Sequence, residues 1–424
     1  MGSLSSLTSN PANLQMLAEG KTKVIFGIAG REDVVLIRSK DQLTAFNAVR
    51  KNQVEGKARI ANKTTTNVFK YLQKIGLETH FVEEASDTDF IARKCQMIPI
   101  EWVARRVATG SFLKRNPGVP QGYRFDEPKI EMFFKDDAND DPQYSDEQIE
   151  CAKFEFNGVK IGKSEISLMK RMTSVIFRAL EKAWNKADCA LIDMKVEYGV
   201  TTDGKIVLAD VIDNDSWRVW PHGDKRLQLD KQFYRDIKEV TAEALQQLIS
   251  NYEKVMDLTA GFTSGPKCQA VIIMGSPADL THCEKIAGSC KALGITPILH
   301  VSSAHKTTRE SLNILAKYED TAVPTVIIAV AGRSNGLGPV LAGNTTLPVI
   351  SCPPLTEGNV STDLWSSVRM PSGIGCSTVL GADEAALAAA KILASHDYMV
   401  FGRILCLQLN NLNKLLAAEK AMQK

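Results

Sequence analysis

The sequence lacks a surplus of either charge and lacks any long apolar run. Its 51 basic and 49 acidic side chains leave a formal net charge of +2 across 424 residues, and this near balance gives no general signal for nucleic-acid binding. No run approaches the roughly 18 apolar residues of a membrane-spanning helix. The first residues also lack the basic flank and apolar core of a secretory signal. We therefore expect a cytosolic protein that binds neither nucleic acid nor membranes.

Cysteine is present but lacks the spacing that would give it a structural role. The nine cysteines are scattered and include no Cys-x-x-Cys pair, so neither a zinc site nor a disulfide framework is predicted. Apolar residues at 44% and charged residues at 24% are typical of a globular protein. A chain of this length exceeds what one hydrophobic core normally serves, and two domains are therefore predicted.

The sequence pattern changes near residues 257–267, which indicates a domain boundary. A helical pattern over residues 241–256 ends in DLTAGFTSGPK, whose glycines and proline break it. We expect an α+β domain at residues 1–256, a linker at 257–267 and an α/β domain at 268–424. Solidly apolar strands are typical of a doubly wound parallel sheet of flavodoxin-like type, because helices cover both of its faces. Such runs are AVIIMG (270–275), PTVIIAVAG (324–332) and LPVISC (347–352).

The segment LIDMKVEYG alternates charged with apolar residues, which predicts a strand with Asp193, Lys195 and Glu197 on one face. The Asp-Gly dipeptide that follows predicts a two-residue hairpin turn. That turn would place Glu197 directly opposite Asp210. Two facing carboxylates suit magnesium, which commonly binds through one or two carboxylates and nucleotide phosphates. The alternative is a solvated face on which Lys195 relieves the repulsion.

Two further segments concentrate groups that bind phosphates or carboxylates. EGKTK sets Lys21 and Lys23 beyond a glycine, although it is not a GxxxxGK[ST] phosphate loop. IPIEWVARRVATGSFLKR (98–115) surrounds a Thr-Gly-Ser with arginine and lysine. A plain surface hairpin and a solvated basic helix are the respective alternatives. FFKDDANDDP and DVIDNDSWRVWP add charge beside aromatic residues.

In this order, the segments resemble the family of phosphoribosylaminoimidazole-succinocarboxamide (SAICAR) synthetases over about residues 14–256. MIPIEWVARRVATGS and LIDMKVEYG look like the two signature segments of that family, with Tyr198 where Phe or Ile is usual. The resemblance implies an α+β fold of ATP-grasp or kinase-like type. It also implies an ATP-dependent ligase that joins carboxyaminoimidazole ribonucleotide (CAIR) to L-aspartate. A kinase-like phosphotransferase is the alternative.

The resemblance also implies a role for individual residues. Those at the nucleotide would be Lys21, Thr22, Lys23 and Met97, and those at magnesium would be Glu197 and Asp210. Those at CAIR or aspartate would be Arg105, Ser111, Asp137, Asp193, Lys195, Asp215 and Arg218, with Asp193 and Lys195 nearest the chemistry.

In the second domain, three loops follow apolar strands. GSPAD opens a helix after the first strand, SSAHKTT follows ITPILHV, and the glycine-rich AGRSNGLGPVLAGN follows PTVIIAV. Because the carboxyl ends of parallel strands meet at one edge of a sheet, we expect the loops to form one pocket. Helix N-termini and loop amides there suit phosphates. A flavodoxin-like binding module without catalysis is the alternative.

The order of these loops, followed by PVISCPP, resembles the family of phosphoribosylaminoimidazole (AIR) carboxylases over about residues 268–424. SAHK and GRSNGL resemble the animal class, which takes carbon dioxide directly without ATP, biotin or flavin. His305 would then accept a proton from the carboxylated ring. The implied residues are Ser276 and Asp279 at the ribonucleotide, Ser303, His305 and Lys306 at the reacting ring, and Arg333, Ser334 and Asn335 closing the site.

The two implied activities are consecutive, because the second domain would make CAIR and the first would consume it. The whole chain therefore resembles the animal bifunctional enzymes of purine biosynthesis, which are both a lyase and a ligase. AIR, carbon dioxide, CAIR, L-aspartate and ATP are the implied small-molecule partners, with magnesium as the implied metal. The carboxylase resemblance further implies a homo-octamer.

Overall fold

In the computed structural model, which describes residues 8–45, 50–265 and 267–422, contacts divide the chain into two units. The first comprises residues 1–264 and 408–424, and the second comprises 265–407. The predicted domain bounds differ from these units at both ends of the second domain, and they stay a prediction. The helix predicted over 241–256 continues to Ala260, because Asp-Leu-Thr-Ala contains no breaker before Gly261.

Two five-stranded antiparallel sheets form the frame of the first unit. Its described strands are β1 Leu14–Glu19, β2 Lys23–Ile28, β3 Arg31–Ser39, β4 Gln42–Ala45, β5 Arg50–Gln53, β6 Phe81–Glu84, β7 Asp89–Arg93, β8 Cys95–Val107, β9 Arg124–Phe134, β10 Glu155–Phe156, β11 Val159–Lys160, β12 Cys189–Thr201, β13 Ile206–Ala209 and β14 Trp217–Pro221. One sheet has the order β1-β2-β3-β7-β6. The other has the order β13-β12-β8-β9, and β14 pairs with the first half of β12.

Helices pack on these sheets. Those described in the first unit are α1 Lys57–Lys74, α2 Ser111–Arg115, α3 Asp146–Cys151, α4 Lys163–Lys186, α5 Gln232–Asp236 and α6 Ala242–Ala260. The long helix α4 carries a continuous buried face that includes Met169, Val175 and Leu180. It covers the apolar side of the sheet that contains β12, and the hydroxyls of Thr173 and Tyr198 lie 2.8 Å apart across that contact.

The alternation in β12 is confirmed as a two-faced strand. Its apolar residues, from Ile192 to Tyr198, are at most 2% exposed. On the other face Asp193 is 4% exposed and Glu197 is 2% exposed. The alternative of a solvated charged face is therefore wrong, and buried carboxylates require cationic or hydrogen-bonding partners.

The predicted register of the β12–β13 hairpin is wrong by one residue. Glu197 pairs with Ala209 and not with Asp210, because the turn has three residues instead of two. The amide of Gly204 donates to the carbonyl of Thr201 at 2.9 Å, and Gly204 then takes a left-handed φ of 77°. This is a type I turn closed by a glycine bulge, which an Asp-Gly pair also permits.

The second unit is a five-stranded parallel sheet with helices on both faces. Its strands are β15 Gln269–Met274, β16 Thr296–Val301, β17 Thr325–Val330, β18 Val349–Ser351 and β19 Ser377–Thr378. Its helices are α7 Leu280–Ala292, α8 Thr308–Glu319, α9 Leu337–Ala342, α10 Val360–Asp363, α11 Trp365–Val368 and α12 Ala382–Leu393, followed by α13 Tyr398–Met422, which ends among the residues of the first unit. The strand order β16-β15-β17-β18-β19 is the 2-1-3-4-5 order of flavodoxin-like folds.

Strands β15, β17 and β18 are buried on both faces, as their apolar runs predicted, whereas the edge strand β16 is partly exposed. Along β15, Ile272 and Met274 join the core beneath α7 and α12. The alternate residues Val271 and Ile273 join a second core beneath α8 and α9. All four are at most 1% exposed. The polar loops therefore lie at the ends of the strands, where the ligands of such sheets bind.

Candidate functional site

A cavity of about 330 Å³ lies beside the first sheet of the first unit. One wall is apolar and the other end is charged. The wall includes Leu17, Ile25, Val35, Ile37 and Met97, and the charged end includes Lys23, Lys135, Glu197 and Asp210. An apolar slot that ends in cations and carboxylates has the chemistry to hold a flat base at one end and phosphates at the other.

Five charged side chains meet at that end. Glu197 accepts from Lys195 Nζ at 2.6 Å and from Lys135 Nζ at 2.8 Å. Asp210 pairs with Lys23 and lies 4.0 Å from Lys195 Nζ. Burial alone would raise the pKa of Glu197, but Lys195, Lys135 and Lys23 outweigh it and hold the pKa at about 2.

Asp210 reaches this cluster in a way that the sequence pattern did not predict. In the observed register it would continue β13 opposite Val196, which faces away from Glu197. Its backbone instead leaves the extended conformation and takes φ of 62°. That turn removes the side chain from the alternation of the strand and brings both predicted carboxylates into one cavity.

A second, smaller cavity of about 170 Å³ is lined by six of the seven residues predicted to contact CAIR or aspartate, all except Asp137. Asp193 lies at its centre and accepts from Arg105 at 2.8 Å and from Arg218 at 2.6 Å. The negative charge of Asp193 raises the pKa of Arg218. The predicted residues that line the cavity are Arg105, Ser111, Asp193, Lys195, Asp215 and Arg218.

Asp215 lines the same cavity and is held by two lysines. Its Oδ2 lies 3.6 Å from the Nζ of Lys57, which is 2% exposed, and 3.2 Å from that of Lys231. Burial alone would raise the pKa of Asp215, but these cations outweigh it and hold the pKa at about 2. The carboxylate is therefore charged at neutral pH and faces the cavity as a hydrogen-bond acceptor.

Lys195 joins the two cavities. It lines the smaller one, while its ammonium donates to Glu197 and to Glu101 at 2.6 and 3.0 Å at the charged end of the larger one. Burial opposes its charge, but these two carboxylates outweigh burial and raise its pKa. An ammonium that stays charged at neutral pH therefore lines the smaller cavity and contacts Glu197, a carboxylate of the larger one.

Three predicted residues lie elsewhere. The ammonium of Lys21 pairs with Asp137 at 2.9 Å, and both side chains are exposed, at 46% and 64%. Neither residue lines either cavity, nor does Thr22, whose carbonyl accepts from the amide of Lys40 at 2.8 Å. The structure thus brings EGKTK and FFKDDANDDP together, with only Lys23 of the first segment reaching the larger cavity.

In the second unit the three predicted loops meet at the carboxyl edge of the sheet. Gly275 after β15 lies against Ala331 after β17, since a Cβ on Gly275 would come within 3.4 Å of the Ala331 Cβ. Gly336 lies against the ring of His305, since a Cβ there would come within 2.7 Å of Nε2. His305 therefore has room only because residue 336 has no side chain.

The individual loop residues divide into exposed and buried groups. Ser276 caps a turn by accepting from the amide of Ala278 at 3.2 Å, and Asp279 follows it before α7. Burial raises the pKa of Asp279. Ser303 binds the following turn through its backbone. The exposed residues are His305, Lys306, Arg333 and Ser334.

Asn335 is buried, and its side chain holds the loop together. Its amide nitrogen donates to Ser351 and Ser367, both at 3.0 Å, and its oxygen accepts from the amide of Gly338 at 3.0 Å. These partners occupy the polar groups of the side chain. The buried side chain of Asn335 therefore anchors the exposed residues that precede it.

Among the cavity-lining residues that the sequence prediction missed are Lys135, Lys231, Arg235 and His80. Lys135 stands within the quoted FFKDD, where its place after a strand could have indicated it. Lys231 and Arg235 line the smaller cavity from one helical turn, with a spacing of four that could have indicated a shared face. His80 lines the larger cavity, and no local pattern around it pointed there.

Within the part of the chain that the structure describes, no helix has both the length and the apolarity to cross a bilayer. Comparison with known proteins then identifies the two units. Residues 16–251 match the family model of SAICAR synthetase, and residues 269–413 match that of AIR carboxylase. The chain is 31% identical to a SAICAR synthetase solved in complex with ADP, at a TM-score of 0.52 over 57% of this chain and 97% of that one.

Relatives of full length combine both units. The chain is 62% identical to the probable multifunctional protein ADE2 of Caenorhabditis elegans, over all of both chains. It is 53% identical, over 96% of each chain, to a bifunctional carboxylase and synthetase of Rattus norvegicus. The protein is thus a fusion of an AIR carboxylase with a SAICAR synthetase. It belongs to the family of bifunctional phosphoribosylaminoimidazole carboxylase/phosphoribosylaminoimidazole succinocarboxamide synthetases and carries both activities in purine biosynthesis.

His80 gives the first unit a measurable response to acid. Burial, with Lys23 and Arg93, lowers the pKa of His80 from 6.5 to about 3. Below pH 6.5, His80 binds a proton in the unfolded chain but not in the folded chain. The contribution of His80 to the free energy of unfolding is therefore complete above pH 6.5 and decreases as the pH is lowered. Between pH 7 and pH 5 we expect the free energy of unfolding to decrease by about 2 kcal/mol because of His80.

Replacing His80 by Phe should remove this dependence and keep the ring packing against Phe69 and Phe90. Urea unfolding followed by tryptophan fluorescence at pH 7, 6 and 5 measures it, because four of the five tryptophans lie in the first unit. Equal pH slopes for the wild type and H80F would contradict the prediction.

Proposed function

We propose that the second unit carboxylates AIR with carbon dioxide to CAIR, and that the first unit then ligates CAIR to L-aspartate with ATP. Neither biotin nor flavin takes part. The observation that carries the ligase proposal is the position of Lys195 between two cavities. One cavity suits a nucleotide and the other suits an anionic ribonucleotide, and the ammonium lies at their junction.

ATP would lie in the larger cavity with its base against the apolar wall and Met97, and with its phosphates toward Lys23 and Lys135. A related synthetase was solved in complex with ADP, which supports nucleotide binding by this unit. Lys21 and Thr22 would border the phosphates from the preceding turn. The cavity volume of about 330 Å³ lies in the range of small-molecule and cofactor sites.

Magnesium would be held by Glu197 and Asp210. Within residues 8–45, 50–265 and 267–422, no group of three or more His, Cys, Asp or Glu side chains could hold a metal alone. Two carboxylates nevertheless fit this ion, because its remaining ligands are commonly water and nucleotide phosphate. When bound, magnesium would neutralise charge on the phosphates.

The smaller cavity would take CAIR, whose phosphate and carboxylate are anionic. Five cationic side chains and three carboxylates line it, which leaves a surplus of two positive charges. Arg105, Ser111 and Arg218 would bind the phosphate or carboxylate, since guanidinium groups bind both in bidentate fashion. Asp215 would accept from the amine of the imidazole or of aspartate, and the more distant Asp137 would border the entrance.

The ligase reaction would follow from this arrangement. The terminal phosphoryl group of ATP moves to the CAIR carboxylate, and the ammonium of Lys195 stabilises the charge on the transferring group. Asp193 keeps Arg105 and Arg218 in place around the substrate. The amine of L-aspartate then attacks the acyl phosphate and releases phosphate, so no side chain forms a covalent intermediate.

In the carboxylase, AIR would lie at the loops with its ribonucleotide portion toward Ser276 and Asp279. The electron-rich ring carbon of AIR attacks carbon dioxide, and His305 accepts the proton that this carbon then loses. Ser303 and Lys306 would stabilise the new carboxylate. Arg333 and Ser334 would close the site, with Asn335 anchoring their loop.

A coupled assay separates the two proposed centres. The full chain is supplied with AIR, bicarbonate, ATP, magnesium and aspartate. Glu197→Ala should accumulate CAIR and reduce SAICAR formation by at least about 100-fold, since a metal carboxylate is lost. His305→Ala should stop the consumption of AIR but still convert added CAIR.

Release of ADP is followed in the same assay, with aspartate and CAIR each omitted in turn. A ligase requires both, whereas a kinase-like phosphotransferase would release ADP with one of them absent. Normal SAICAR formation by E197A would overturn the metal assignment.

Contact between Gly336 and His305 gives a second test. Gly336→Ala would push the ring out of place, because the new methyl group would lie 2.7 Å from Nε2. Misplacement of a reacting group by about 1 Å can cost about 100-fold, so we expect AIR carboxylation to fall 10- to 100-fold with ligation unchanged. Gly288→Ala, on α7 with nothing within 4 Å of the added Cβ, is the matched control. Equal carboxylase rates for the two variants would contradict the placement of His305.

We also propose that the chain works in the cytosol as a homo-octamer assembled through the second unit, with domains at 1–256 and 268–424. Large apolar side chains exposed on that unit support an interface, among them Val301 at 52%, Trp365 at 59% and Leu380 at 49%. Closed symmetric assembly would bury such patches.

Light scattering should therefore give about eight times the chain mass of 46.5 kDa. Trp365→Lys should lower that mass because a buried, unpaired charge would oppose assembly. Leu227→Lys, at a residue 48% exposed on the first unit, is the control that should keep the mass unchanged. A monomeric wild type at micromolar concentration would overturn the octamer.

A further inference from the structure

Glu131 on β9 is a fully buried carboxylate that the proposed chemistry does not use. It is 2% exposed and lines neither cavity. Its Oε2 accepts from Arg105 Nε at 2.5 Å, and its Oε1 accepts from Arg115 Nη2 at 2.7 Å. One carboxylate therefore holds two guanidinium groups, one from a cavity-lining residue and one from the short helix α2.

These contacts extend a row of alternating charge across four neighbouring strands. Glu131 lies on β9, Arg105 on β8, Asp193 on β12 and Arg218 on β14. Asp193 pairs directly with Arg105 on one side and with Arg218 on the other, and Val103, two residues before Arg105, pairs with Glu131. Each interior member of the row has an oppositely charged neighbour on both sides.

We propose that Glu131 is a positioning residue for the synthetase reaction, which fixes the two sides of the ribonucleotide site together. The proposal rests on the smaller cavity being the CAIR site. Glu131 occupies the Nε of Arg105 while Asp193 occupies its Nη1, so the guanidinium plane is held at two edges and presents its remaining donors to the ligand.

The second contact of Glu131 leads to another residue of the cavity lining. Arg115 ends α2, whose first residue is Ser111, and Ser111 lines the cavity. The guanidinium of Arg115 also lies over the ring of Phe133, 4.8 Å from its centroid. Through Arg115, the carboxylate of Glu131 sets the position of Ser111 relative to Arg105.

Charge alone predicts the opposite outcome from positioning. A negative side chain near an anionic ligand weakens its binding, so a purely electrostatic Glu131 would raise the affinity for CAIR when neutralised. If Glu131 positions Arg105, its loss leaves Asp193 as the remaining carboxylate partner of two arginines. Arg105 then loses its fixed orientation, and the affinity falls.

A matched pair on the same strand provides the control. Arg106, the next residue on β8, is held by Glu181 through two bonds of 2.6 and 2.7 Å. Both partners are largely buried, with side chains 8% and 13% exposed, yet neither lines a cavity. Glu181→Gln therefore weakens a similar Glu–Arg pair without touching the proposed site.

The test compares Glu131→Gln, Glu181→Gln and Arg105→Met in the full chain. ADP release is measured against CAIR concentration, and AIR carboxylation by the same samples serves as the concentration reference. We expect E131Q to raise the KM for CAIR about 10-fold or more, by analogy with outer partners of ligating groups. The KM for ATP should stay within about twofold, and E181Q should leave the KM for CAIR unchanged at a similar loss of thermal stability.

Two outcomes would overturn the proposal. If the KM for CAIR falls in E131Q, the effect of Glu131 is purely electrostatic. If the KM for CAIR rises as much in E181Q as in E131Q, the role of Glu131 is a general structural one. Arg105→Met distinguishes failure of the underlying assignment. If R105M leaves the KM for CAIR unchanged, the smaller cavity is not the ribonucleotide site. If R105M raises it and E131Q does not, only the positioning role is wrong.

Discussion

Antiparallel pairing of β8 with β12 is the constraint on which the synthetase unit depends. The register sets Asp193 opposite Arg105 and Lys195 opposite Val103. This pairing brings the Asp193 carboxylate to Arg105 and the Lys195 ammonium between the cavities, and the pairing of β12 with β14 adds Arg218. The apolar face of the same strand packs beneath α4 and keeps the charged face aligned. A slip of one residue would move every charged group of β12 into the core. Burial of the apolar face therefore fixes the register that positions the charged residues on the other face.

The parallel sheet solves the same problem differently. Its strands β15, β17 and β18 are buried on both faces, so the polar residues collect at one edge in loops. Loop geometry there depends on close approach of backbones, at Gly275 beside Ala331 and at Gly336 beside His305. Anchoring falls to buried polar contacts such as those of Asn335 with Ser351. The orientation of the site residues is thus fixed by strand register in the first unit and by close packing against glycines in the second.

Periodicity and motif order predicted both folds, six of the residues that line the smaller cavity and four of those that line the larger one. Apolar runs identified the parallel strands because burial on both faces has a direct compositional signature. Turn geometry was less accessible: Asp-Gly suits both two- and three-residue loops, and the register of Glu197 was therefore wrong by one. Contacts between distant parts of the sequence leave no local sequence pattern. His80 and Lys231 were therefore missed, and Asp137, which was predicted at the substrate, pairs with Lys21 outside the two cavities.

The left-handed backbone at Asp210 restricts the evolution and the engineering of that position. With φ of 62°, side chains other than glycine, asparagine and aspartate are strained there. Of those three, only aspartate carries a charge. Backbone shape and charge requirement therefore select the same residue independently. An alanine at this position would change both at once, whereas asparagine would keep the conformation and alter the charge alone, so it isolates the electrostatic part of what the residue does.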